Sequence, residues 1–165
     1  MVMIAMRLML KRDAASDGAD FLLFDECGRL KYRVTCLRQK LVTNYKIIIS
    51  DPEGEQVAKI RRLPIFGTHT YVLRAGRSHI TLAAVVTRRG VLCNFYGNNW
   101  CVSGDFGAKC FSVIDVDKSL IMTLCRRASA RELLISDEPN ELFCVMTAVC
   151  ACLIETTETY AVQTV

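Results

Sequence analysis

Ser136-Asp137-Glu138-Pro139-Asn140-Glu141 runs directly into Leu142-Phe143-Cys144-Val145-Met146-Thr147-Ala148-Val149-Cys150-Ala151-Cys152-Leu153-Ile154, and this stretch decides the fold. Its first half is a helix start: capping side chains, Pro near the first helical position, and acids where the helix dipole favours negative charge. Its second half is apolar on every face, with Thr147 as the sole polar residue. A helix hydrophobic all round is either buried in a core or spans a membrane. Length separates the two, because a span needs roughly 20 apolar residues and this run has about 13. The flanks agree: Glu141 precedes the run and Glu155 and Glu158 follow it, where a span would carry basic or aromatic anchors. The sequence therefore predicts a buried central helix over about 139–155, with Leu142, Phe143, Val145, Met146, Val149 and Leu153 as its structural residues and a short tail over 156–165.

The chain before this helix, about 6–135, reads as strands. A hairpin recurs in which an apolar strand ends in an acidic turn with Gly and returns to basic residues. One copy is Phe21-Leu22-Leu23-Phe24, the turn Asp25-Glu26-Cys27-Gly28, and a return through Leu30 to Val34. A second runs from Tyr45 to Ile49, turns at Asp51-Pro52-Glu53-Gly54 and returns to Arg61, about 26 residues further on. Asp, Pro and Gly at first, second and fourth positions are type I turn chemistry, with Gly taking the left-handed position. Weaker turn signals fall at Gly76-Arg77, Gly104 to Gly107 and Asp115 to Lys118. The segments between are short and β-branched, such as His79-Ile80-Thr81-Leu82, Phe111-Ser112-Val113-Ile114 and Leu120 to Leu124. About a dozen strands at regular spacing predict a closed antiparallel barrel. A barrel that wide cannot be filled by its own inward side chains, and one apolar helix in its lumen would fill it. The fold class is thus mainly β, a barrel around a helix, in a single domain over 1–165.

Composition fits this reading. Hydrophobic residues make up 52% of the chain, and mean hydropathy is +0.25, an apolar excess that the lumenal helix accommodates. Twenty-one Lys and Arg against 17 Asp and Glu give a net charge of +4, too mild to demand nucleic acid. The nine cysteines, Cys27, Cys36, Cys93, Cys101, Cys110, Cys125, Cys144, Cys150 and Cys152, form no C-x-x-C pair. They read as reduced small hydrophobes in a core, which points to a reducing compartment. Near the N-terminus, Lys11 and Arg12 follow the apolar run instead of preceding it, so no signal peptide is expected and Met6 to Lys11 reads as a first strand. The expected location is cytoplasmic, including the membrane periphery, without a transmembrane span.

The arrangement resembles the LURP-one-related/YxjI family of the tubby-like and scramblase-like superfamily. The residues that carry the likeness are Met6-Arg7-Leu8, the Asp25 to Gly28 and Asp51 to Gly54 turns, Trp100-Cys101-Val102-Ser103-Gly104-Asp105-Phe106, and Asp137 to Phe143. The resemblance implies about twelve antiparallel strands around a C-terminal helix. Tubby-like relatives bind phosphoinositides and scramblase-like relatives act at membranes, but the chain shows no match to tubby's basic phosphoinositide-binding positions.

No catalytic constellation is visible. His69 and His79 are the only histidines, and neither has partners at metal-ligand or dyad spacing. Acids fall chiefly at turns and at the helix start, and phosphate-loop, dinucleotide and nucleophile-elbow motifs are absent. No enzyme activity, cofactor, metal or nucleic-acid partner is expected. Basic pairs recur at Arg61-Arg62, Arg88-Arg89 and Arg126-Arg127, at or after returning strand ends. They are the candidate contacts for anionic phospholipid headgroups, although adjacent strand residues face opposite ways, so each pair gives one residue to a face. The expectation is a non-enzymatic intracellular binding domain that meets an anionic membrane surface. The alternative is a protein-interaction scaffold or regulator with no lipid role.

Overall fold

A computed structural model describes residues 5–13, 20–37 and 46–163, with side chains described as far as Ile154. Tyr45 and Met1 to Ile4 lie outside the described residues. Twelve strands follow one another in chain order: β1 (Met6–Arg12), β2 (Phe21–Phe24), β3 (Leu30–Leu37), β4 (Lys46–Ser50), β5 (Gln56–Leu63), β6 (His69–Ala75), β7 (Ser78–Thr87), β8 (Gly90–Tyr96), β9 (Cys101–Ser103), β10 (Cys110–Ile114), β11 (Leu120–Arg126) and β12 (Arg131–Ile135). Each pairs antiparallel with its neighbours in sequence, and β1 pairs with β12 to close the barrel. A 3₁₀ turn (Glu138–Asn140) leads into the single helix α1 (Glu141–Gln163).

Alternation along the strands builds the core. In β4 the pattern leaves Ile47 and Ile49 fully buried and turns Lys46 outward; in β5 Ala58 and Ile60 are buried. Helix residues Cys144 to Cys150 are all buried, as are Cys152, Leu153 and Ile154. The helix packs against β6 and also against β11 and β12, strands half a circuit apart in the closed order. An element buried on every face and touching opposite walls lies inside the barrel, so the apolar stretch is the filling of the lumen. Its one polar side chain, Thr147, donates its hydroxyl to the carbonyl of Phe143 at 2.7 Å.

The acidic turns form as their chemistry dictates. In the Asp51 turn, the Gly54 amide donates to the Asp51 carbonyl at 3.0 Å and the Glu55 amide to the Asp51 carboxylate at 2.9 Å. Gly54 has φ +87°. The Trp100 to Phe106 stretch is also structural: Trp100 packs edge-on against Phe95 at 5.7 Å, and the Asp105 carboxylate accepts from the amides of Val91 and Gly107, each at 2.8 Å. Gly90 makes room for that carboxylate, since a Cβ there would clash with the Asp105 side chain, on a backbone with φ +132°. Gly90→Ala should therefore cost roughly 1–3 kcal/mol and lower the thermal midpoint more than Gly54→Ala, whose Cβ would meet nothing within 4 Å.

Two expectations need correction. The backbone of 156–163, expected as a tail, is helical to Gln163, because this stretch contains neither Gly nor Pro to stop the helix. The cysteines are not uniformly core residues. Cys27 and Cys101 are exposed, and Cys110 and Cys125 are joined by a disulfide across β10 and β11. An apolar run in a strand buries only alternate residues, and Cys110 stands directly opposite Cys125 with Cα atoms 4.2 Å apart. Seven cysteines are free and two are joined, so the nine are not all reduced core thiols.

Candidate anion-binding face

Because every strand pair is antiparallel, the connections alternate between two ends of the barrel. The turns after β2, β4, β10 and β12 share one end and carry Asp25, Glu26, Asp51, Glu53, Asp115, Asp117, Asp137 and Glu138. The turns after β5, β7, β9 and β11 share the other, which carries Arg88 and Arg89 in the turn after β7 and the strand ends that bear Lys11, Arg12, Lys46, Arg61 and Arg126. Among the described residues acids predominate at the first end, which also carries Arg29, Arg77 and Lys118, and cations predominate at the second, which also carries Asp13, Asp20, Asp105 and Glu132.

All three sequence-predicted arginine pairs lie at the basic end, but they do not form one patch. Arg61 points outward from β5 and is exposed, whereas Arg62 has inward parity and is half-buried at the barrel mouth. Arg88 and Arg89 are exposed in the turn between β7 and β8. Arg126 and Arg127 lie between β11 and β12, across the barrel from β5, and Arg127 approaches Glu132 at 3.4 Å.

The register reveals a denser cluster that includes only Arg61 of those residues. Lys46 of β4 stands directly opposite Arg61 of β5, and Lys59 of β5 directly opposite Arg74 of β6. All four have outward parity, and Arg33 of β3 also faces outward. No Asp or Glu occurs anywhere in β3, β4, β5 or β6, and none of the four pairs with a carboxylate among the described residues. Like charges directly opposite on a sheet destabilise it. Two such pairs lie side by side, and a recess of about 70 Å³ lies among Lys59, Arg61, Val72 and Arg74.

Sequence reasoning missed Lys46, Lys59 and Arg74. One signal was present: Lys59 and Arg61 are two apart on a strand and so share a face. Their cross-strand partners depend on register, which one strand does not encode.

The histidines sit at opposite ends of the ladder between β6 and β7. His79 is exposed opposite Arg74, while His69 is half-buried at the basic mouth. Burial, and secondarily the Arg62 charge, holds the His69 pKa below the usual imidazole value, and its Nδ1 has no partner among the described residues. At the acidic mouth Tyr32 is buried beside Glu141, so that desolvation and the carboxylate charge push its phenol pKa up, and Lys31 pairs with Glu141. Among the described residues no group of three or more His, Cys, Asp or Glu is placed to hold a metal ion, and no helix is long and apolar enough to cross a membrane.

No protein-family model matches the sequence, and no curated protein matches it. A similar solved fold is the X-ray structure of the Arabidopsis thaliana protein AT5G01750, with a TM-score of 0.59 and 13% identity, covering 90% of this chain and 91% of that one. At that identity the likeness shows a shared fold alone.

Proposed function

We propose that this barrel is a non-enzymatic binding domain of the LURP-one-related/YxjI type whose outer face over β4 to β6 engages the phosphates of anionic phospholipid. The observation that carries the reading is the two like-charged pairs that the register sets opposite each other, Lys46 with Arg61 and Lys59 with Arg74, on strands without a carboxylate. Family assignment is supported by the sequence stretches noted above together with the twelve-stranded barrel and its C-terminal helix. A protein-scaffold reading draws on a different feature, the outward and exposed Val85 opposite Leu92 on β7 and β8.

A bound polyanion should relieve the repulsion and stabilise the fold. With inositol hexakisphosphate as the probe at about 100 times its dissociation constant, linkage gives roughly 2.7 kcal/mol. That corresponds to a rise in thermal midpoint of about 5–10 °C for a chain of this size. The rise should saturate, exceed that in sodium chloride of equal ionic strength, and vanish in Lys59→Glu/Arg61→Glu. An equal rise in that variant would move the site elsewhere.

A further inference from the structure

We infer that the tip of the hairpin between β5 and β6, Ile65-Phe66, inserts into the acyl layer of an anionic bilayer while the cations of the same hairpin hold the headgroups; this rests on the headgroup reading above. Phe66 is wholly exposed and Ile65 is 51% exposed. Single exposed apolar residues are ordinary on protein surfaces, but this pair is held out by an ordered turn. The Ile65 amide donates to the Leu63 carbonyl at 2.9 Å, and the Thr68 amide and hydroxyl both donate to the Ile65 carbonyl at 3.3 Å. Gly67, with φ +78°, takes the position after Phe66 that a type II turn reserves for glycine. The ring is thus carried at the apex of a defined turn and contributes no packing to the barrel.

Its surroundings identify the occupant. Val86, 42% exposed, stands across an open groove of about 480 Å³ that the tip lines with Leu63 and Pro64. Arg88 and Arg89 lie on the next hairpin at the same end, and Arg61 lies on the strand leading into the tip. At the rise of an extended strand, the tip projects roughly 10 Å beyond Arg61, which matches the depth between headgroups and the upper acyl chains. Aromatic residues flanked by Arg and Lys are the composition of membrane-interface anchors. Charge selects this end over the other. Val116, 75% exposed at the far end, sits between Asp115 and Asp117, which an anionic surface repels.

The test uses Phe66→Trp in the full chain with phosphatidylcholine vesicles, with and without phosphatidylserine, whose acyl chains carry bromine near the interface. Trp100 is buried and present in both proteins, so the difference from wild type reports the new indole. On phosphatidylserine vesicles its emission should shift to the blue and be quenched. In parallel, Phe66→Ser should lower affinity for those vesicles on the order of tenfold to a hundredfold, with an unchanged thermal midpoint. If wild type binds these vesicles while the indole is unquenched and Phe66→Ser binds as tightly, insertion is overturned and the headgroup reading stands. Equal quenching on neutral and anionic vesicles would support insertion and overturn the headgroup reading. Binding to neither vesicle overturns both.

Discussion

Val149→Asp is expected to abolish the folded barrel. Val149 is fully buried midway along the lumenal stretch of the helix, between Ala148 and Cys150, which are also fully buried. A carboxylate there has no cation to pair with from the neighbouring helix positions and no route to water. Leaving a charge buried and unpaired costs several kcal/mol, a large part of the roughly 5–15 kcal/mol that holds a domain together. The near-UV circular dichroism and the cooperative thermal transition should both be lost. Met146→Ala is the graded companion, since it removes apolar volume from a fully buried site without adding charge. It should cost roughly 2–5 kcal/mol, seen as a drop in midpoint of about 5–20 °C. A Val149→Asp protein that keeps a native-like transition would mean that the helix is dispensable to the barrel.

The second large effect concerns binding. Lys59→Glu/Arg61→Glu is expected to reduce affinity for phosphatidylserine vesicles by a hundredfold to a thousandfold, on the order of 1 kcal/mol for each charge lost and again for each charge reversed near the surface. Both side chains are outward on a sheet whose core positions belong to Ala58 and Ile60, so the fold should survive. The reversal even removes two like-charge oppositions, with Lys46 and with Arg74. Arg126→Glu/Arg127→Glu is the informative control. It reverses the same number of charges at the same end of the barrel but on the far wall, and affinity should fall much less. Equal losses in the two variants would mean that net charge, and no particular face, governs binding.

Much of the fold is legible in the sequence. The helix could be read because its apolar residues ignore the 3.6-residue period, a pattern that water does not tolerate. Strand number and turn positions could be read because Asp51, Pro52 and Gly54 each fill the place that turn geometry demands. Antiparallel chain order brings the arginine pairs to one end without gathering them on one face. The proposed binding face was less legible. Lys46 and Arg61 are 15 residues apart in sequence and meet only because the register between β4 and β5 sets them opposite. Composition hid the tip as well, because Pro64-Ile65-Phe66-Gly67 has the apolar character of a core segment and only the turn that holds it shows Phe66 in water. The cysteines failed for a related reason: hydrophobic company along a strand says nothing about which face a residue takes, and Cys110 and Cys125 took the outer one.

We propose that this barrel meets anionic membrane surfaces through its β4 to β6 face. The most direct measurement is flotation of the wild-type chain with neutral, phosphatidylserine-containing and phosphoinositide-containing vesicles at low and high salt. Binding to the anionic vesicles alone, weakened as salt screens the cations, is the expected result. Absence from all three vesicle fractions at low salt would contradict the claim and leave a protein partner as the reading to pursue.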